Sequence, residues 1–289
     1  VELSGLLNLD HPLAIRAGIK DAPTPVVLPV HMLLHPTAGL YVVDTGVDRD
    51  LAAGGKGIGR GLVNTFVKHV DRQESLGAML DRRGGTLAGV LITHLHIDHV
   101  LGFPDIPEGT PIYVGEGETS ARKGVHLVMR RTYAAALKGR APLMTWDASK
   151  GVPLGPISKA WDVIGDGSLW ALDTPGHTPG STSYIARTTT GPVLFTGDTC
   201  HTLWGWESGV TPGGFTADID ANAVSLSALR ELAASVPGMV VYVGHETDGE
   251  GTGVDEVADV PDIGLPMTPR PPAPEPPAEA AVPAGVSEG

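Results

Sequence analysis

The chain has 289 residues, 42% of them hydrophobic, a formal net charge of -13 and a single cysteine, Cys200. This length and apolar content suit one soluble α/β domain with a large core and leave little for a second full domain, while one cysteine excludes an internal disulfide framework and a thiolate metal cluster. The acidic balance and an aromatic content of only 5% argue against nucleic acid and anionic membrane as partners, and no uncharged apolar run approaches the roughly 18 residues of a membrane span.

In chain order, Val1 in place of Met reads as a processed or trimmed start and leaves the compartment open. Residues 26–34 and 39–43 are expected to form two strands joined by the turn His35-Pro36-Thr37-Ala38. The second runs into Asp44-Thr45-Gly46, where Asp44 is open to two readings: an Asx-turn, or a carboxylate that orients a metal ligand from behind. The Gly-rich residues 51–61 lack Walker A spacing and read as a flexible surface loop. Leu62, Phe66, Val70, Leu76 and Leu80 share one face of a helix that runs to about Arg83, and Gly84-Gly85 ends it.

The densest chemistry follows. Ala88-Gly89-Val90-Leu91-Ile92 reads as a buried strand, and Thr93-His94-Leu95-His96-Ile97-Asp98-His99 comes directly after it. His94 and His96 leave the strand end on one side, because side chains alternate with period two. Asp98 and His99 lie in the turn or first helical turn beyond. Imidazole nitrogen and carboxylate oxygen suit Zn²⁺, and four such groups exceed what one tetrahedral catalytic ion takes while keeping an open position. Two metal ions are therefore expected.

Pro111-Ile112-Tyr113-Val114 reads as another strand and residues 116–139 as a helix, with Val125, Val128, Met129, Tyr133 and Leu137 on its apolar stripe. That helix is open to two readings, core packing or a lid over the metal site. Three further apolar strands each end in a candidate ligand. Residues 169–172 lead to His177, which two Pro-Gly steps hold in a rigid turn; residues 193–196 lead to Asp198, and residues 239–243 to His245. Ligand loops recurring at strand ends are the signature of a site built at one edge of a sheet. Between the last two, residues 220–236 are expected to form an amphipathic helix with Asp220 as N-cap and Val224, Leu229, Leu232, Ala233 and Val236 on one face. The folded domain is expected to span 1–263, and the Pro-, Ala- and Glu-rich residues 264–289 to be a disordered tail.

Asp44-Thr45-Gly46, His94-x-His96-x-Asp98-His99, Gly176-His177, Gly197-Asp198-Thr199 and Gly244-His245 together resemble, in order and context, the metallo-β-lactamase superfamily over about residues 26–246. The resemblance implies an αββα sandwich with a dinuclear zinc site at one sheet edge. It would place His94, His96 and His177 on the first Zn²⁺, Asp98, His99 and His245 on the second, and Asp198 between them. Within the superfamily, His rather than Glu at position 96 points away from the di-iron oxygen-reducing branch, and the presence of Asp198 points away from true β-lactamases. His177-Thr178-Pro179-Gly180 and the long interval before it are most similar to the N-acyl-homoserine lactonase-like branch.

That resemblance implies hydrolysis of an ester-type carbonyl in a small acyl substrate, above all the opening of a lactone ring, with water activated between two zinc ions. Thioesters, as in glyoxalase-II-type enzymes, and phosphodiesters or phosphotriesters are the alternatives on the same site, although no Arg or Lys lies beside the ligand motifs to hold a phosphate. A purely structural zinc site would use a closed, Cys-rich shell, which this chain lacks. Lactonases of this type often carry Tyr three positions after the bridging Asp; this chain has His201, which can donate or relay a proton or simply pack beside the site. Asp98 or His201 is expected to protonate the leaving group. Phe103, Met129, Tyr133, Trp204, Trp206 and Phe215 are expected to line an acyl pocket, with ordinary packing as the other reading of the tryptophans. A homodimer stays open as its assembly state.

Overall fold

A computed structural model describes residues 1–58, 74–120, 133–138, 142–246 and 255–256. The strands are His31–His35 (β1), Gly39–Val43 (β2), Leu87–Leu91 (β3), Ile112–Val114 (β4), Met144–Thr145 (β5), Val152–Leu154 (β6), Ile157–Asp162 (β7), Leu169–Asp173 (β8), Thr182–Thr188 (β9), Gly191–Phe195 (β10), Val240–Tyr242 (β11) and Asp255–Glu256 (β12). They form two six-stranded sheets, ordered β12-β1-β2-β3-β4-β5 and β11-β10-β9-β8-β7-β6. The first is parallel from β2 to β5, and the second is an antiparallel meander with β11 added parallel to β10.

Period-two alternation sorts the side chains into layers. Val43 and Leu91 from the first sheet meet Leu169, Ala171, Tyr184, Ala186, Val193 and Phe195 from the second in the core between the sheets. Their neighbours Val42 and Val90 face the other way and pack with Leu51, Leu76, Leu95, Ile97 and Phe103. On the far side, Trp170, Leu172, Ile185 and Leu194 pack against Leu229 and Leu232 of the helix Ile219–Ser235. Helix, sheet, sheet and helix are thus four layers. Each large side chain among these that is fully buried contributes about 2–3 kcal/mol of transfer free energy. Tyr184 Oη donates to Ile92 O at 3.0 Å and ties the two sheets together.

Several boundaries differ from the sequence expectation, each for a local reason. The first strand begins at His31, not at residue 26, because Pro25 and Pro29 remove backbone donors from the segment before it. Ser75 is an N-cap whose side chain accepts from Ala78 N, so the helix Leu76–Arg83 starts there and does not run unbroken from residue 62; residues 59–73 lie outside the described residues. Residues 117–120 are a turn, with Gly117 at φ 98, rather than the start of a helix. Of the expected helix over 116–139, residues 121–132, Met129 among them, lie outside the described residues. In Ile219–Ser235 the N-cap is Asp218, whose Oδ1 accepts from Ala221 N, and Asp220 sits in the first turn. Val224 on that helix is 71% exposed and Leu226 takes the buried position instead. The tail 264–289 lies outside the described residues, and no described helix is long and apolar enough to cross a membrane.

A half-buried ring beside the core carries a shifted pKa. The His31 ring packs against Phe195 and Tyr242, with centroids 4.4 and 5.1 Å away, and burial pushes its pKa down to about 4. The folded protein keeps this ring neutral while the unfolded chain protonates it near pH 6.5. Its contribution is therefore whole above about pH 6.5 and is lost as pH falls from there towards 4. Part of the residue still meets solvent, so we expect His31→Phe to spare about 2 kcal/mol of the stability lost between neutral pH and pH 4.5. Urea unfolding of both proteins at the two pH values checks this; the same loss in each would refute it.

Candidate metal centre

Five loops converge at one edge of the sandwich because each leaves the end of a strand there. Asp44 follows β2, and His94, His96, Asp98 and His99 follow β3, the last two on the short helix Ile97–Val100. His177 follows β8, Asp198 and His201 follow β10, and His245 follows β11. The structure brings all of these together.

The centre of the cluster is Asp198 Oδ2. His201 Nε2 lies 3.0 Å from it, His245 Nε2 3.1 Å, His99 Nε2 and His177 Nε2 3.3 Å each, and His94 Nε2 3.5 Å. One carboxylate oxygen has two lone pairs and cannot accept from five imidazoles. The ring nitrogens instead aim at a small shared volume, as donors to a cation do. His94, His96, His177 and Asp198 form one group able to hold a metal ion, and Asp98, His99 and His245 form another. Asp198 also lies in a group with His201 and His245, so its carboxylate is shared between the two sides. Among the described residues, His94 Nε2, His99 Nε2, Asp198 Oδ1 and both ring nitrogens of His201 are buried without a hydrogen-bond partner. Buried polar atoms normally have one. Two cations would supply what the atoms facing the centre lack, so the residues present fit a dinuclear metal centre.

The surroundings fix which nitrogen faces the centre. His99 Nδ1 donates to Asp44 Oδ2 at 2.8 Å, and His245 Nδ1 donates to Val27 O at 2.9 Å, which leaves Nε2 of each ring to point inward. Asp44 is itself held by Thr93, whose N–H and hydroxyl donate to it at 2.9 and 2.8 Å, and it takes a left-handed backbone with φ 55. His177 N–H donates to Asn222 Oδ1 at 3.0 Å, and Asn222 in turn donates to Thr199 O, linking the His177 loop to the Asp198 turn. Glu118, 4% exposed, accepts from Leu95 N at 2.8 Å, from Gly180 N at 3.0 Å and from the Thr178 hydroxyl. It thereby clamps the two loops that carry His96 and His177. Sequence reasoning missed the roles of Thr93, Glu118 and Asn222; the only signal was that Glu118 lies within residues 116–139, the segment open to the lid reading.

Electrostatics follow from crowding positive and negative groups in a dry site. Burial alone would push the Asp198 carboxyl up, but the rings of His245, His201, His99 and His94 outweigh it and hold it well below the carboxylate range. Burial pushes His94 and His177 well below the usual imidazole value. Burial also acts downward on His99, yet Asp198, Asp44 and Asp98 hold it well above that value.

The expected acyl-pocket residues divide. Phe103 has no exposed surface and Tyr133 is 7% exposed; both sit in the core outside the first sheet and offer a substrate no wall. Trp206 packs beside Leu226 and Cys200 under the long helix. Trp204 is half-buried on the helix Leu203–Ser208, and Phe215 is 47% exposed next to Thr216, whose hydroxyl lies 3.3 Å from His177 Nδ1.

Fold and cluster define a class: an αββα sandwich carrying a dinuclear His/Asp metal centre at one sheet edge. The chain belongs to the metallo-beta-lactamase superfamily, whose family profile matches residues 29–245. The N-acyl homoserine lactonase AttM of Agrobacterium fabrum is 27% identical over 255 residues, covering 82% of this chain and 88% of its own. An N-acyl homoserine lactonase from a Bacillus species is 27% identical over 260 residues, covering 86% and 92%. Among solved structures, a variant of AiiA from B. thuringiensis with N-decanoyl-L-homoserine bound at the active site is similar in fold, with a TM-score of 0.62 at 22% identity over 85% of this chain and 88% of that one.

Proposed function

We propose that this protein is a metal-dependent hydrolase that opens lactone rings, with N-acyl-homoserine lactones as the substrate class and zinc as the metal. The observation that carries the reading is the convergence of five imidazole nitrogens within 3.5 Å of Asp198 Oδ2. Similarity to curated N-acyl homoserine lactonases along most of the chain supports the substrate class. His94, His96 and His177 would hold one ion, Asp98, His99 and His245 the other, and Asp198 both. When bound, a zinc pair brings the pKa of coordinated water to about 7 and polarises an acyl oxygen.

The chain's own residues then divide the remaining work. Asp98, with its side chain 31% exposed, is the one cluster residue that reaches from the buried rings to solvent; its Oδ2 lies 3.4 Å from His245 Nε2. That position suits it to take the proton given up by the attacking water and hand it to the alkoxide released when the ring opens. His201, 2% exposed and enclosed by Asp198, His177 and His245, is badly placed to meet a leaving group at the mouth. Among the described residues, Trp204, three positions after His201, and Phe215, one before Thr216, keep exposed apolar surface and are the candidates to contact an acyl chain.

Ring opening liberates one acid per turnover, so the test is proton release at constant pH. Protein with its zinc content verified is mixed with a long-chain N-acyl-homoserine lactone. We expect catalytic release that metal chelation abolishes. No release from protein carrying two zinc ions would overturn the lactonase reading and leave thioesters and phosphodiesters to be assayed on the same site.

A further inference from the structure

His201 is unlike a residue that merely packs beside the metal ligands. Its ring is 2% exposed, and neither ring nitrogen has a hydrogen-bond partner. Nε2 lies 3.0 Å from Asp198 Oδ2, yet the approach makes no hydrogen bond, so that carboxylate does not satisfy the nitrogen as a donor. The ring stands edge-on to both neighbours, with centroids 4.8 Å from His245 and 5.1 Å from His177. One ligand atom each from Asp198, His201 and His245 lie within 4.8 Å of one another, the spacing of donors around one ion. The backbone holds this arrangement: His245 N–H donates to His201 O at 3.0 Å and Gly244 N–H to Cys200 O at 2.8 Å, so the two rings are registered like neighbours on paired strands.

An imidazole buried without partners loses the hydrogen bonds that water would give its nitrogens. A buried histidine with no metal to bind would be expected to find a carboxylate, carbonyl or hydroxyl, the kind of partner that Asp44 gives His99 and Val27 O gives His245 through Nδ1. We infer that His201 is itself a metal ligand, donating through Nε2 to the ion held by Asp98, His99 and His245. The inference rests on the two-ion reading of the cluster and adds a residue to it. It gives the second ion three imidazoles and Asp98 besides the shared Asp198, and leaves the His94, His96 and His177 side as the more open position for a substrate oxygen.

The test reads metal binding without substrate. Metal-free wild type, His201→Ala and His201→Gln are titrated with Co²⁺ and followed by visible absorption, with circular dichroism confirming that each remains folded. In the wild type we expect two ions. In both variants the first binding event should be unchanged, the second weaker by more than about 100-fold, beyond the 10–100-fold that loss of an outer hydrogen-bonding partner brings. Added imidazole should restore the second event and its absorption band in His201→Ala. A second ion bound to the variants within about 100-fold of wild type, or with an unchanged band, would overturn the assignment of His201 and leave the two-ion reading standing. Fewer than two ions in the wild type would overturn both, whatever the proton-release assay shows.

Discussion

Asp198→Asn is expected to reduce lactone turnover by on the order of 10³-fold or more while the protein still folds. Removal of one preorganised electrostatic group from a catalytic site costs about 10²–10³-fold, and Asp198 is more than one group. Its Oδ2 is the point on which five imidazole nitrogens converge, and among the described residues it groups both with His94, His96 and His177 and with His201 and His245. The amide keeps the shape but loses the charge, and its NH₂ cannot donate to a metal. Both ions should therefore bind less tightly, and metal analysis after gel filtration should find fewer than two per chain. Circular dichroism separates this from misfolding, because the amide fits the same space. Turnover within tenfold of wild type would overturn the dinuclear mechanism.

How much of this site could be read in advance depended on whether a residue announced itself by context. His94, His96, Asp98, His99, His177, Asp198 and His245 each stand just after an apolar strand, and that pattern survives without any knowledge of the fold. Asp44 was legible only as one of two readings, because an Asx-turn and a carboxylate behind a ligand look alike in one dimension; its contact with His99 Nδ1 at 2.8 Å joins positions 55 residues apart. Glu118 and Asn222 were invisible for the same reason, since their partners at Leu95, Gly180 and His177 are remote in sequence. The strand β9 was missed on other grounds. Thr182–Thr188 carries Thr, Ser and Arg, residue types that mask its apolar positions, yet all seven residues are buried because the strand lies inside its sheet and is covered on both faces. Its hydroxyls are spent on partners such as Thr196 O, which Ser183 Oγ meets at 2.8 Å.

Gly244→Ala should cost about 100-fold in turnover although it touches no substrate and removes no ligand. A Cβ at this position would lie 2.3 Å from Asp198 Oδ1 and 2.9 Å from Gly197 O, so something must move. Gly197 cannot easily give way: its φ is 52, and its own α-carbon faces the Thr93 side chain so closely that a Cβ there would meet Thr93 Cβ at 2.7 Å. The segment carrying Gly244 cannot retreat either, because its N–H and that of His245 are bonded to Cys200 O and His201 O. The displacement therefore falls on the Asp198 carboxylate, and a shift of about 1 Å in a catalytic group costs on the order of 10²-fold. Overpacking of this kind also destabilises by about 1–3 kcal/mol, which thermal unfolding will register separately. Gly214→Ala is the control, since a Cβ there meets only Ser4 O at 3.8 Å and should leave turnover unchanged. If Gly244→Ala keeps turnover within threefold of wild type, the position of Asp198 is not what sets the rate, and the carboxylate tolerates a displacement that the dinuclear arrangement does not allow.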